Sequence, residues 1–289
     1  MILDAETRAR LERMALASRR RVRGRYAGRH RSHRYGESLD FADYRPYVAG
    51  DDYRRIDHHT RARLGVTLIR LFESEDELPV RVIVDASGSM AFERKMQTAR
   101  ELAGAVMFAA LAGGDRVVPY AVPGPRDRQL VRGPAGRHLA SWPALEAWLE
   151  SLEPGGQITD GSVLRRVILE GGVGGPVMLV SDLMVPAWQD LIAGVGVATG
   201  GVILHVLAES ELDPVMAGDL RLVDAETDHE VDLSTSHGAM DAYVARVEQF
   251  LHNAAARARR SGMDYITAVA GEGALEPAIA DLARLEVLR

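Results

Sequence analysis

Apolar positions along the chain follow two periods. Val80-Arg81-Val82-Ile83-Val84 and Val177-Met178-Leu179-Val180 are short apolar runs of the kind buried on both faces of a sheet. Between such runs the spacing turns helical. In 94–112, Met96, Ala99, Ala103, Val106 and Ala110 line one stripe at steps of three and four, Leu102 widens it, and Gly113-Gly114 closes it. The small residues Ala99, Ala103 and Gly104 let that helix lie close to a sheet. The pattern predicts strands at 80–85, 115–122, 176–181, 202–207 and 265–269. It predicts helices at 94–112, 137–151, 162–169, 187–195, 238–260 and 274–284. Strand and helix in alternation predict an α/β fold: a doubly wound, mainly parallel sheet with helices on both faces. Segments 219–223 and 230–233 read as a small hairpin inside 219–233.

The front of the chain reads differently. Residues 4–22 predict a helix capped by Asp4, with Leu11, Met14, Ala15 and Ser18 at helical spacing. A basic, glycine-punctuated arm follows over 19–34, then a segment at 35–57 dense in aromatics and paired charges. There Phe41, Tyr44, Tyr47 and Ile56 are the expected anchors, and Arg–Asp pairs fix its shape. Residues 66–72 alternate as a strand, Glu73-Ser74-Glu75-Asp76-Glu77 makes a turn, and Pro79 opens the next strand. The expected organisation is a front region, 1–78, packing on a main domain, 79–289.

Charge sharpens that division. Residues 1–70 carry 17 Arg against 9 Asp and Glu, a net +8, whereas the rest of the chain is at −14. Lys95 is the only lysine, a usage that reads as a GC-rich genome more than a functional demand. With no cysteine, disulfides, thiolate metal sites and thiol nucleophiles are excluded. The charged start Met1-Ile2-Leu3-Asp4-Ala5-Glu6 is no secretory signal. Leu191 to Ala208 is interrupted by glycines and reads as helix end, turn and strand, not as a membrane span. The expectation is a soluble, cytoplasmic protein.

Candidate chemistry concentrates in three places. Asp85-Ala86-Ser87-Gly88-Ser89 follows the first buried strand. Gly155-Gly156-Gln157-Ile158-Thr159-Asp160-Gly161 is a loop before a short helix, and Val177 to Ser181 is a strand that runs into Asp182. In a parallel sheet all three loops leave from the carboxyl ends of the strands, so Asp85, Ser87, Ser89, Thr159 and Asp182 can converge. A set of carboxylates and hydroxyls suits a hard divalent cation: Mg²⁺, with Mn²⁺ or Ca²⁺ as alternatives.

These residues resemble the von Willebrand factor A-type domain and its metal-ion-dependent adhesion site. The resemblance implies that Ser87, Ser89 and Thr159 bind the ion directly. It implies that Asp85 and Asp182 bind directly or through water, and that one open position takes a partner's carboxylate. The departure is at the threonine loop, where Gln157 and Ile158 intervene in a sequence that such families write Gly-Gly-Thr. The stretch from Tyr35 through Leu39, Phe41, Tyr44-Arg45, Tyr47, Gly50-Asp51-Asp52, Arg54-Arg55 and Ile56-Asp57 is similar to the signature of the domain-of-unknown-function 58 family. It resumes at Arg61-Ala62-Arg63 and Phe72-Glu73, and departs at His58, where that family has tryptophan. Membership implies a von Willebrand A-like fold and association with a MoxR-type AAA+ ATPase and a client protein. Arg45, Asp51, Asp52, Arg54, Arg55 and Asp57 are then candidate partner-binding residues.

Two other readings stay open. A metal-dependent hydrolase needs a general base, for which Asp160 is the one candidate. A nucleic-acid factor would use the arm at 19–34, although the acidic balance and thin aromatic interleaving disfavour it. The histidines are scattered, and His58-His59 is a poor ligand pair; one of them is expected to pack in the tryptophan's place and the other to be exposed. No phosphate-binding glycine loop with lysine and no G-x-S-x-G elbow is present. The expectation is a non-enzymatic, metal-dependent protein-binding module.

Overall fold

Strand β3 (Val80–Asp85) is buried along its whole length and sends alternate side chains to opposite faces of a sheet. Val82 and Val84 point into one apolar cluster and Ile83 into another. The structure, a computed structural model, describes residues 1–22, 41–48, 56–72, 79–123, 130–158, 163–170, 175–196, 200–214, 219–223, 230–234 and 237–285. By its internal contacts the chain divides into Met1–Arg20 with Leu78–Arg289, and Arg21–Glu77.

In the large unit β3 is followed by α3 (Lys95–Gly113), β4 (Val117–Val122), β5 (Val131–Arg132), α4 (Trp142–Glu150), α5 (Val163–Glu170) and β6 (Val177–Ser181). Then come α6 (Trp188–Val195), β7 (Gly201–Leu207), α7 (Glu209–Leu212), β8 (Asp219–Val223), β9 (Glu230–Ser234), α8 (His237–Arg260), β10 (Asp264–Val269) and α9 (Leu275–Arg284). The result is a mixed α/β fold around a six-stranded sheet of order β10-β7-β6-β3-β4-β5. Every pairing is parallel except β4 with β5. The two-residue β5 has no apolar run of its own, and the sequence pattern did not predict it. The expected hairpin is present as β8 paired antiparallel with β9.

Helices cover both faces. Leu3 and Leu11 of the N-terminal segment, Leu102 and Met107 of α3, Leu145 and Leu149 of α4, and Ile279 of α9 pack on the Val82–Val84 side. Leu164 and Ile168 of α5, Leu191 and Ile192 of α6, and Ala254 and Ala258 of α8 pack on the Ile83 side. Thus α1 (Ala5–Val22) belongs with this unit through Arg20, and Asp4 caps it as expected, Oδ1 accepting from Thr7 N at 2.7 Å. Glycine is obligatory at the head of β7. Gly201 has φ of 156°, and a Cβ there would sit 1.9 Å from the Val177 carbonyl oxygen.

The adjacent strands β3 and β6 are followed by helices on opposite faces, α3 on one and α6 on the other. Such a reversal opens a crevice at the carboxyl ends of the two strands, where open α/β sheets bind ligands.

The smaller unit pairs β1 (Phe41–Pro46) with β2 (Leu68–Phe72) antiparallel, around α2 (His58–Leu64). Tyr44 and Tyr47 are 39% and 38% exposed, so they are not the buried anchors expected of them. Ile56 does pair with Ile69 across a bridge. His58 and His59 are both exposed, which corrects the expectation that one packs inside: they open a helix, whose first turn points them to solvent.

Candidate metal site at the carboxyl edge of the sheet

Asp85 ends β3 and is fully buried. Its Oδ1 accepts from Ser87 N at 2.9 Å and Ser87 Oγ at 2.6 Å, and its Oδ2 accepts from Ser181 Oγ at 2.5 Å. Ser87 Oγ lies 3.1 Å from Ser89 Oγ, and Ser89, half-buried, brings this string of oxygens toward the surface. The chain then turns through a short 3₁₀ segment, Gly88–Ala91, which makes no side-chain cap bond with Ser87.

The glycine loop lies alongside. Gly155 N donates to Ala86 O at 2.8 Å and Gly88 N to Gly156 O at 2.9 Å, while Ile158 is buried with Val163 and Leu164. Thr159 and Asp160 fall outside the described residues. So do Asp51, Asp52, Arg54 and Arg55, and the side chain of Arg45. Asp57 is described and 2% exposed. Its carboxylate caps α2 by accepting from His59 N and Thr60 N, and it takes a third bond from Tyr44 OH at 2.6 Å.

Asp182 follows β6 and is also fully buried. Its partner is a residue that sequence reasoning passed over. Lys95, the first residue of α3, is 1% exposed, and its Nζ donates to Asp182 Oδ2 and to Glu211 Oε1, each at 2.7 Å. Burial lowers the Lys95 pKa, but the charge of Asp182 and the bonds to Asp182 and Glu211 outweigh it, so the net shift is upward and the ammonium stays charged. The only signal in the sequence was that this chain has one lysine and puts it a few residues after D-x-S-x-S.

His205 of β7 braces the same edge. Its Nε2 lies 2.8 Å from the Asp182 carbonyl oxygen, which can only accept, so Nε2 carries the proton and Nδ1 accepts from Tyr265 OH. Burial drives the His205 pKa down to about 4, more than the Asp182 carbonyl raises it, so the ring is neutral. Both nitrogens are committed, which leaves His205 a strut and not a base.

Asp85 stands apart from these satisfied charges. Burial first, then the negative charge of Asp182, push its pKa up to about 7, against the pull of the Ser181 and Ser87 bonds. Among the described residues it has no cationic partner. Two residues here hold left-handed backbone without being glycine: Glu93 at φ 47° and Leu183 at φ 55°. Strain of that kind gathers where loops are held for a purpose other than stability.

Among the described residues no three His, Asp or Glu side chains converge as a metal-ligand set. The donor set is instead Asp85 with the hydroxyls of Ser87 and Ser89, and Asp182 close by. Among the described residues, three carboxylates (Asp85, Asp182, Glu211) against one ammonium leave two negative charges in excess when all are ionised. One divalent cation balances them, and oxygen-only donors fit a hard ion.

No helix among the described residues is long and apolar enough to cross a membrane. No curated protein matches the chain. Among solved structures it is similar to the conserved hypothetical protein BatB from Bacteroides thetaiotaomicron. There the identity is 14%, the coverage 72% of this chain and 99% of that one, and the TM-score 0.42. It is also similar to an aerotolerance-related membrane protein from Bacteroides fragilis, at 14% identity, 73% and 99% coverage and a TM-score of 0.39. A family model, protein of unknown function DUF58, matches residues 43–251, and the chain belongs to that family.

Proposed function

We propose that this protein is a cytoplasmic, non-enzymatic protein-binding module whose grip depends on a divalent ion, Mg²⁺ in the first place, held at the carboxyl edge of its sheet. Asp85, Ser87 and Ser89 would hold the ion, with Thr159, and Asp182 through a water, completing the set that a von Willebrand factor A-like domain uses. Bound there, it would supply an open coordination position for a partner's carboxylate. The observation that carries this reading is Asp85: a buried carboxyl with only neutral donors, beside a second carboxylate, at the mouth of the sheet.

The partner we infer is a MoxR-type AAA+ ATPase, with a client protein behind it; this part rests on family membership. The base a hydrolytic role would use, Asp160, lies outside the described residues; His205, committed at both nitrogens, and Lys95, protonated between two carboxylates, do not offer a second one.

Calorimetric titration of Mg²⁺ into the wild type and Asp85→Ala, with and without the cognate ATPase, tests the reading. Binding in the wild type alone, and a complex with the ATPase that EDTA dissolves, is the expected result. Equal Mg²⁺ binding by Asp85→Ala, or an ATPase complex indifferent to EDTA, would move the interaction elsewhere.

A further inference from the structure

Lys95 is the chain's one lysine; the other 34 basic residues of the Lys and Arg class are arginine. In a chain so committed to arginine, the one lysine places a compact point charge between two carboxylates. Its ammonium holds Asp182 Oδ2 and Glu211 Oε1. The remaining oxygens are held as well: Asp182 Oδ1 accepts from Met184 N at 3.0 Å, and Glu211 Oε2 from Ala208 N at 2.7 Å. Every oxygen of these two carboxylates therefore has a donor. The three residues join the start of α3, the loop after β6 and helix α7 into one ion cluster, with Lys95 and Asp182 buried and Glu211 16% exposed.

We propose that Lys95 is a tethered counter-ion that withholds Asp182 and Glu211 from direct contact with the divalent ion, leaving Asp85, whose donors are all neutral, as the described carboxylate that meets it, and so sets which ion the site prefers. The inference rests on the metal-binding reading above and deepens it. A site with one carboxylate and a few hydroxyls suits Mg²⁺, which keeps several of its waters. Ca²⁺ takes six to eight oxygen ligands and gains most from added carboxylates. Lys95 thus acts as a selectivity residue against Ca²⁺ without touching the ion.

The test is calorimetry with Mg²⁺ alone and Ca²⁺ alone on the wild type and Lys95→Met, each checked for a cooperative melt. Removing one positive charge this close to the site raises Ca²⁺ affinity by at least about tenfold. It raises Mg²⁺ affinity less, so the preference shifts toward Ca²⁺. A folded Lys95→Met with wild-type affinity for both ions overturns the inference and leaves the metal site standing. Binding by Lys95→Met but not by the wild type supports the inference and overturns a resident metal in the native protein. Binding by neither ends both. Should Lys95→Met not fold, the wild type answers alone through acylation of its single lysine, read by mass spectrometry with and without Mg²⁺. Protection of Lys95 in both states supports the inference, and acylation that appears with Mg²⁺ overturns it, because Lys95 would then have been displaced from Asp182.

Discussion

Asp57 in the small unit and Asp85 in the large one share a set of three hydrogen bonds of the same kind. Each is buried. Each takes two bonds on Oδ1, from His59 N and Thr60 N in one case and from Ser87 N and Ser87 Oγ in the other. Each takes one hydroxyl bond on Oδ2, from Tyr44 or Ser181. What separates them is the field around them. Asp57 stands at the N-terminus of α2, whose backbone N–H groups and dipole favour an anion. Asp85 is followed by a 3₁₀ turn that offers it no helix terminus, and Asp182 repels it. Bond counts alone do not distinguish a helix cap from a binding site; the charge environment does.

The largest effect that sharpens this contrast belongs to Asp182→Asn. Breaking a buried ion pair by removing one partner costs about 3 kcal/mol or more, because a charge is left in a dry site. Here Lys95, 1% exposed, would keep only Glu211. Urea denaturation should show that loss in the large unit. A loss below about 1 kcal/mol would mean that water reaches the pair and that the edge is no more charged than a surface.

Next come the two aspartates themselves, where we expect a double dissociation. Asp85→Asn keeps the shape and relieves the repulsion from Asp182, so its stability should change by less than about 1 kcal/mol. Its Mg²⁺ affinity should fall by more than the roughly 10- to 100-fold that loss of a supporting group costs. Asp57→Ala should do the reverse: a loss of about 1–2 kcal/mol from an emptied helix cap, seen as faster amide exchange in α2, with Mg²⁺ affinity unchanged. If both substitutions destabilise alike and neither alters Mg²⁺ binding, Asp85 is a cap after all.

The sheet and most of this site could be read along the chain for one reason: each feature is local. An apolar run ending in Asp85, another ending in Ser181-Asp182, and a helical stripe between them need no knowledge of the fold. Lys95 could not be read that way. Its partners lie 87 and 116 residues away and meet it only because the sheet order sets β6 and β7 on the same side of β3. The signature segment was harder for another reason. Its strand β1 and helix α2 are six and seven residues long, too short for either period to rise above turn residues and paired charges. His58 and His59 open that seven-residue helix, and no apolar period in their sequence neighbourhood marks it as one. At β5, two residues at an edge leave no pattern to find.

The smallest expected effect isolates the cap from everything else. Tyr44→Phe removes the hydroxyl that reaches Asp57 Oδ2 and leaves the ring in place. A hydrogen bond to a charged acceptor is worth about 1.5–3 kcal/mol when buried, but Tyr44 is 39% exposed, so water can replace much of what the hydroxyl gave. The expected loss is about 0.5–1 kcal/mol, read by exchange in α2. In an Asp57→Ala background the same change should cost less than in the wild type, because the two groups share a bond and their effects do not add. Ser181→Ala deletes the matching bond at Asp85, yet its partner there keeps the repulsion of Asp182. It should therefore raise the Asp85 pKa further, a shift that ¹³C-carboxyl NMR can follow and that Tyr44→Phe would leave untouched.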